Sequence, residues 1–171
     1  REALLAERER LDHEPHLWPG MLKARNLRLA GDALVPWARW VTPTIAPRRF
    51  DSTLFVAEVP ADQHPIGGRE ADEYLWARPA DLLAAADREE LYLVFVTRMN
   101  LMRLALCESV AAAFEAARRG PHPTIQPQRM TVPEGDMMVI PAEAPYPVRM
   151  LSYAHSSMAI EAARKGKAKK A

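Results

Sequence analysis

The sequence predicts a mixed α+β protein, and three observations predict it. Leucines recur at helical spacing among charged residues in several stretches, Leu34–Val41 is rich in aromatic and β-branched residues, and prolines punctuate short β-prone runs after Pro121.

From Arg1 to about Leu11, the spacing of Leu4, Leu5 and Leu11 predicts a helix with one face packed. Opening on Arg1 inside that pattern, the sequence carries the expectation that further residues precede it. After Pro15 and Pro19-Gly20, Met21, Leu22, Leu27 and Leu29 predict a second short helix ending near Gly31-Asp32. Leu34–Val41 is expected as a strand closed off by Pro43 and Pro47. A second strand runs through Phe50, Thr53, Phe55 and Val56 toward Pro60, and Asp62–Gly68 reads as a polar loop. Tyr74-Leu75-Trp76 is expected as a third strand, with Trp76 in the core.

Pro79 suits the first turn of a helix, where its missing N–H costs nothing, and Leu82, Leu83 and Ala86 continue the apolar stripe. A single long helix is predicted from Thr97 to Arg119, stopped by Gly120-Pro121. Thr124-Ile125, Met137–Ile140 and Val148–Leu151 are candidate strands of a small C-terminal β appendage. The lysine-rich end, Lys165–Lys170, has too few apolar groups to offset its ordering entropy and is expected to be disordered. The expected organisation is a main domain over 1–120, an extended β appendage over 121–160 and a basic tail over 161–171.

Composition narrows the function. With 23 Lys+Arg against 22 Asp+Glu, the net charge of +1 gives no global field for nucleic acid, so any anion binding must be local. No run approaches the roughly 18 to 20 apolar residues that span a bilayer, so no membrane partner is expected. The single cysteine, Cys107, excludes an internal disulfide and fits a reducing compartment, with the cytoplasm as the expected location.

Two segments carry a family resemblance. Pro36-Trp37-Ala38-Arg39-Trp40-Val41-Thr42-Pro43, followed by Pro47-Arg48-Arg49-Phe50-Asp51-Ser52, resembles the W-x-x-W-x-T-P and R-R-F-D-T elements of one subgroup of Nudix hydrolases, that of the peroxisomal-type coenzyme A diphosphatases and their bacterial relatives. Ser52 replaces the usual threonine and keeps its hydroxyl. Farther on, Glu70 to Trp76 and Arg78-Pro79 look like the late strand and following helix of the same family, whereas Phe95 and Val96 depart from its Leu-Pro-Pro-Thr run. The resemblance covers roughly Leu34 to Arg119. It implies part of an α/β/α sandwich, a mixed sheet flanked by helices, and hydrolysis of a nucleotide diphosphate-linked substrate such as coenzyme A or an acyl-CoA.

The Nudix box, G-x5-E-x7-R-E-U-x-E-E-x-G-U, is missing. Its clustered glutamates hold Mg²⁺ or Mn²⁺, because hard divalent cations need several oxygens at once and lower the pKa of an attacking water. Gly67 is followed by Glu73, but Asp81-Leu82 stands where Arg-Glu belongs and no Glu-Glu pair follows. In relatives the box lies upstream of this region. The chain is therefore expected to hold the metal weakly and to turn over little substrate. The alternative is a Nudix-derived binding or interaction protein without catalysis. A homo-oligomer is compatible with either.

By the resemblance, Glu70 is the candidate auxiliary metal ligand or base; otherwise it is a solvated carboxylate at a strand edge. Arg48 and Arg49 could grip phosphate oxygens through their guanidinium forks, oriented by Asp51, or form a plain loop ion pair with it. Trp37 and Trp40, three apart on a strand, should face opposite sides, one in the core and one lining a cleft, and Trp40 is included among the substrate-binding candidates. His13 and His16 are separated by Pro15, which argues against a helical metal pair.

Overall fold

The computed structural model describes residues 2–61 and 74–155 of the 171. The chain divides into two compact units, Arg1–Ala33 and Leu34–Ala171. The first holds helix α1 (Glu2–His13), a 3-10 turn at Pro15–Leu17 and the short helix α2 (Trp18–Ala24). Pro19 falls in the first turn of α2, and Arg25 donates to Glu7 at 2.6 Å.

Among the described residues, the second unit contains two three-stranded sheets and three α-helices, an α+β arrangement. In the first sheet, β1 (Val35–Val41) lies between β2 (Asp51–Val56) and β3 (Thr124–Ile125). β1 and β2 run antiparallel, with Trp40 opposite Ser52 and Ala38 opposite Leu54; β3 runs parallel to β1, reaching only Arg39 and Trp40. The second sheet is antiparallel, in the order β4 (Gln128–Val132), β5 (Gly135–Val139), β6 (Met150–Ser152). Strands β4 and β5 are joined through Pro133-Glu134, and Pro followed two residues later by Gly is the composition of a type I turn.

Helix α3 (Pro79–Asp87) begins on its proline as expected. The predicted long helix is two, α4 (Phe95–Leu104) and α5 (Val110–Arg119). The break has a local cause: Ser109 is extended, and its hydroxyl accepts from the Ala112 N–H at 3.1 Å, an N-cap that starts α5 afresh. Gly120 ends α5 at φ +69°, where a side chain would be strained and a Cβ would lie 3.3 Å from His122 Nδ1. An ion pair from Arg98 to Asp87 ties α4 to α3.

One core serves both sheets. Trp37, Ala38 and Trp40 of β1 pack with Phe95 and Met99 of α4, Ala117 of α5, Ile125 of β3, Met138 of β5, and Ile140, Ala144 and Tyr146. Met99 and Ile125 are fully buried, each side chain contributing about 1.5–3 kcal/mol of transfer free energy.

Several expectations need correction. Tyr74-Leu75-Trp76 forms no strand, and Trp76 is 67% exposed, not a core residue. The residues after Pro121 are not a separate appendage: β3 completes the first sheet, and Met138, Ile140 and Tyr146 lie in the common core. The compact division falls between Ala33 and Leu34, not at Gly120. Strand β4 went unanticipated. Trp37 and Trp40 do not face opposite sides, because a bulge between Pro36 and Ala38 inserts Trp37 as an extra residue, and both indoles are buried. The polar loop over 62–68 and the lysine tail lie outside the described residues.

Candidate functional site

The β1–β2 hairpin sorts its side chains onto two faces. On the packed face, Ala38 and Trp40 alternate toward the core beside their partners Leu54 and Ser52. On the other, Arg39, Asp51, Thr53 and Phe55 are exposed. A cleft of about 280 Å³ opens beside the packed face. Trp40, Thr42, Phe50, Ser52 and Leu54 line it from the hairpin; Val94, Phe95 and Val96, at the start of α4, line it with Pro127 and Met138.

Its wall is aromatic and held by a buried polar chain. Trp40 meets Phe95 edge to face at 6.0 Å and Tyr146 at 5.5 Å. Trp40 Nε1 donates to the Tyr146 hydroxyl at 3.2 Å, that hydroxyl donates to Asn100 Oδ1 at 2.9 Å, and Asn100 Nδ2 donates to the Val96 carbonyl at 2.8 Å. The chain joins β1, the 141–149 segment and α4, satisfying each polar group it buries. Burial pushes the Tyr146 hydroxyl above the ordinary tyrosine pKa, against the opposing pull of Trp40 and Arg103.

Thr42 and Phe50, which line the cleft from the hairpin, each meet an arginine. The Phe50 N–H donates to Thr42 Oγ1 at 3.0 Å, and Arg49 Nε donates to the Thr42 carbonyl at 3.1 Å. The Arg48 guanidinium lies over the Phe50 ring, 4.9 Å from its centroid. Both arginines thus sit beside cleft-lining residues. Asp51 does not join them: it accepts two hydrogen bonds from Arg39, at 2.8 and 2.5 Å, on the opposite face of the hairpin. These bonds hold its carboxyl below the usual carboxylate pKa. The loop ion pair expected between Asp51 and Arg48 or Arg49 is a strand-to-strand pair with Arg39 instead.

Glu70 lies outside the described residues. Among the described residues, no group of three or more His, Cys, Asp or Glu is placed to hold a metal ion. His13 closes α1 and His16 lies in the following 3-10 turn. Among those same residues, no helix is long and apolar enough to cross a membrane.

Of the substrate-binding candidates read from the sequence, Trp40 lines the cleft, Arg48 and Arg49 adjoin it and Asp51 faces away; Thr42, Phe50 and Ser52, which also line it, stood in the quoted elements without being singled out. Sequence reasoning missed Phe95, Asn100, Arg103 and Tyr146. Asn100 and Arg103 carried a usable signal, being polar residues at helical spacing with the apolar stripe of Val96 and Met99. Tyr146, between two prolines in an irregular segment, carried none.

No family model matches the chain, and neither does any curated protein or solved structure. The family resemblance therefore stands on the quoted elements alone.

Proposed function

We propose that the cleft is the substrate-holding side of a Nudix-type diphosphatase, taking the apolar or ring-bearing part of a nucleotide diphosphate-linked molecule such as coenzyme A or an acyl-CoA. One observation carries the reading. The two separate elements that resemble the Nudix subgroup fold into one hairpin whose packed face supplies Trp40, Thr42, Phe50 and Ser52 to a single cleft. Apolar and aromatic walls with a few polar groups are the usual chemistry of a small-molecule site. Arg48 and Arg49, which touch the lining residues Phe50 and Thr42, suit the phosphates, since guanidinium forks bind phosphate oxygens bidentately.

The described residues do not fit a catalytic Mg²⁺ or Mn²⁺. Asp51 is engaged by Arg39 and faces away from the cleft, and the described lining contains no carboxylate. On this reading hydrolysis needs box glutamates that these 171 residues do not contain. The chain alone is expected to bind substrate without turning it over. The same carboxylate-free lining also favours a second reading, a binding protein that has no catalytic role.

Calorimetric titration with coenzyme A, its phosphopantetheine half and ADP tests the binding. Coenzyme A should bind, and Arg49→Ala should weaken it by about tenfold, the loss of one charged phosphate contact. No binding of any of the three sinks the proposal. Release of phosphopantetheine by the complete gene product with Mn²⁺ would support the diphosphatase; binding without release would support the second reading.

A further inference from the structure

We infer that the outward face of the second sheet binds a soft monovalent cation of the Cu(I) class, held between the thioethers of Met130 and Met137 with Met150 as an auxiliary donor. The inference is independent of what the cleft binds.

The strand register builds the site. Met138 is 2% exposed and belongs to the core, and Leu151 opposite it packs against that core, so by alternation Met137 and Val139 lie on the other face of β5. Met130 is directly opposite Met137. Met150 is opposite Val139, two residues along β6 from Ser152, the partner of Met137. Opposed residues in an antiparallel pair share a face, with Cβ atoms about 4.5–5.5 Å apart, and diagonal neighbours lie within about 7–8 Å. Methionine is unbranched with three rotatable bonds, so its sulfur is free to turn toward a shared ion. Met137 is thus the centre of three thioethers on three adjacent strands.

The chemistry of this face selects the ion. Arg129, Thr131 and Asp136 share the Met138 face, where Asp136 accepts from both of the others. The strand residues on the Met137 face carry no charge. A hard cation such as Mg²⁺ finds no carboxylate there, whereas thioethers are soft donors that favour Cu(I). Met130 and Met150, 48% and 45% exposed, leave the site open to solvent.

NMR of the whole chain with ¹³C-methyl methionine, titrated with Ag(I) as the redox-inert analogue of Cu(I) in chloride-free buffer, tests this. Cys107→Ala is present throughout, because the half-buried thiol is a competing soft donor. The methyl signals of Met130 and Met137 should move within the first equivalent and that of Met150 with them, while Met138, on the opposite face, stays in place. Leucine conserves the volume of methionine, so single exchanges keep the fold, circular dichroism confirming it, and each assigns its own signal. Met130→Leu and Met137→Leu should each raise the Ag(I) Kd at least about tenfold, and Met150→Leu by a smaller factor. No movement at equimolar Ag(I), equal movement of the Met138 methyl, or a Kd unchanged by Met137→Leu overturns the inference.

Discussion

The Arg103 guanidinium lies over the Trp37 indole, 3.9 Å from its centroid, while its Nη1 donates to the carbonyl of that same residue at 2.7 Å. One side chain, only 6% exposed, thus clamps both the ring and the backbone of the bulged residue. Arg103→Ala should cost about 3 kcal/mol, combining a desolvated cation–π contact with a charged hydrogen bond. Urea denaturation followed by tryptophan fluorescence measures it. A loss below about 0.5 kcal/mol, the ordinary surface range, would show that the clamp is incidental.

Tyr146→Phe should destabilise by about 1–3 kcal/mol, because the Trp40 N–H loses its acceptor and Asn100 its donor. Its cost should be less than additive with that of Asn100→Ala, since both cut one chain. The alkaline limb gives a separate readout. The folded-state pKa of Tyr146 is raised, so its contribution is fully present below about pH 10 and is lost as pH rises through the folded value. Thermal melts above pH 10 should fall more steeply for wild type than for Tyr146→Phe.

Asp51 titrates with the opposite sign. Its pKa is lowered by the hydrogen bonds from Arg39, so its contribution is present above the usual carboxylate value of about 4 and is lost as pH falls through the folded value. Asp51→Asn should flatten the decline of melting temperature between about pH 5 and pH 2. Because the pair is solvent-exposed, added salt should shrink the difference at neutral pH. Parallel acid limbs for the two proteins would contradict the assignment.

Ser109→Ala removes the cap that separates α5 from α4 and should cost about 1 kcal/mol. Ser109→Asp, which can accept the same N–H, should recover most of it. Chemical denaturation of the three proteins side by side decides the matter, and equal stability would remove the stated cause of the break.

Trp76→Phe should change stability by no more than about 0.5 kcal/mol, as expected of a 67% exposed side chain. The native emission spectrum should lose a red-shifted component, leaving the buried Trp37 and Trp40 and the 38% exposed Trp18 to supply the rest. A loss of several kcal/mol would restore Trp76 to the core.

The parts legible in the sequence were those whose conformation is set by near neighbours. Pro79 announced α3, and the aromatic and β-branched runs marked β1 and β2, with Trp40 the one candidate among them that lines the cleft. Two local signals were outweighed. The helical periodicity across 97–119 hid Ser109, since an apolar stripe continues through a short break without changing its spacing. The β propensity of Tyr74-Leu75-Trp76 found no partner strand among the described residues, and propensity without cross-strand pairing does not hold an extended segment. What no local reading could reach was decided at long range: the bulge that turns Trp37 inward, Asp51 choosing Arg39 over its sequence neighbours, and Tyr146 meeting Trp40.

That last contact spans 106 residues. Loop closure over such a distance is slow, and synthesis proceeds from the N-terminus, so the β1–β2 hairpin is complete long before Tyr146 leaves the ribosome. In that interval the inner face of the hairpin, including Trp40, has neither β3 nor the second sheet to cover it. A nascent chain stalled between Val56 and Pro121 should therefore be a better chaperone client than one stalled beyond Tyr153, and the vulnerability closes when the 141–149 segment docks.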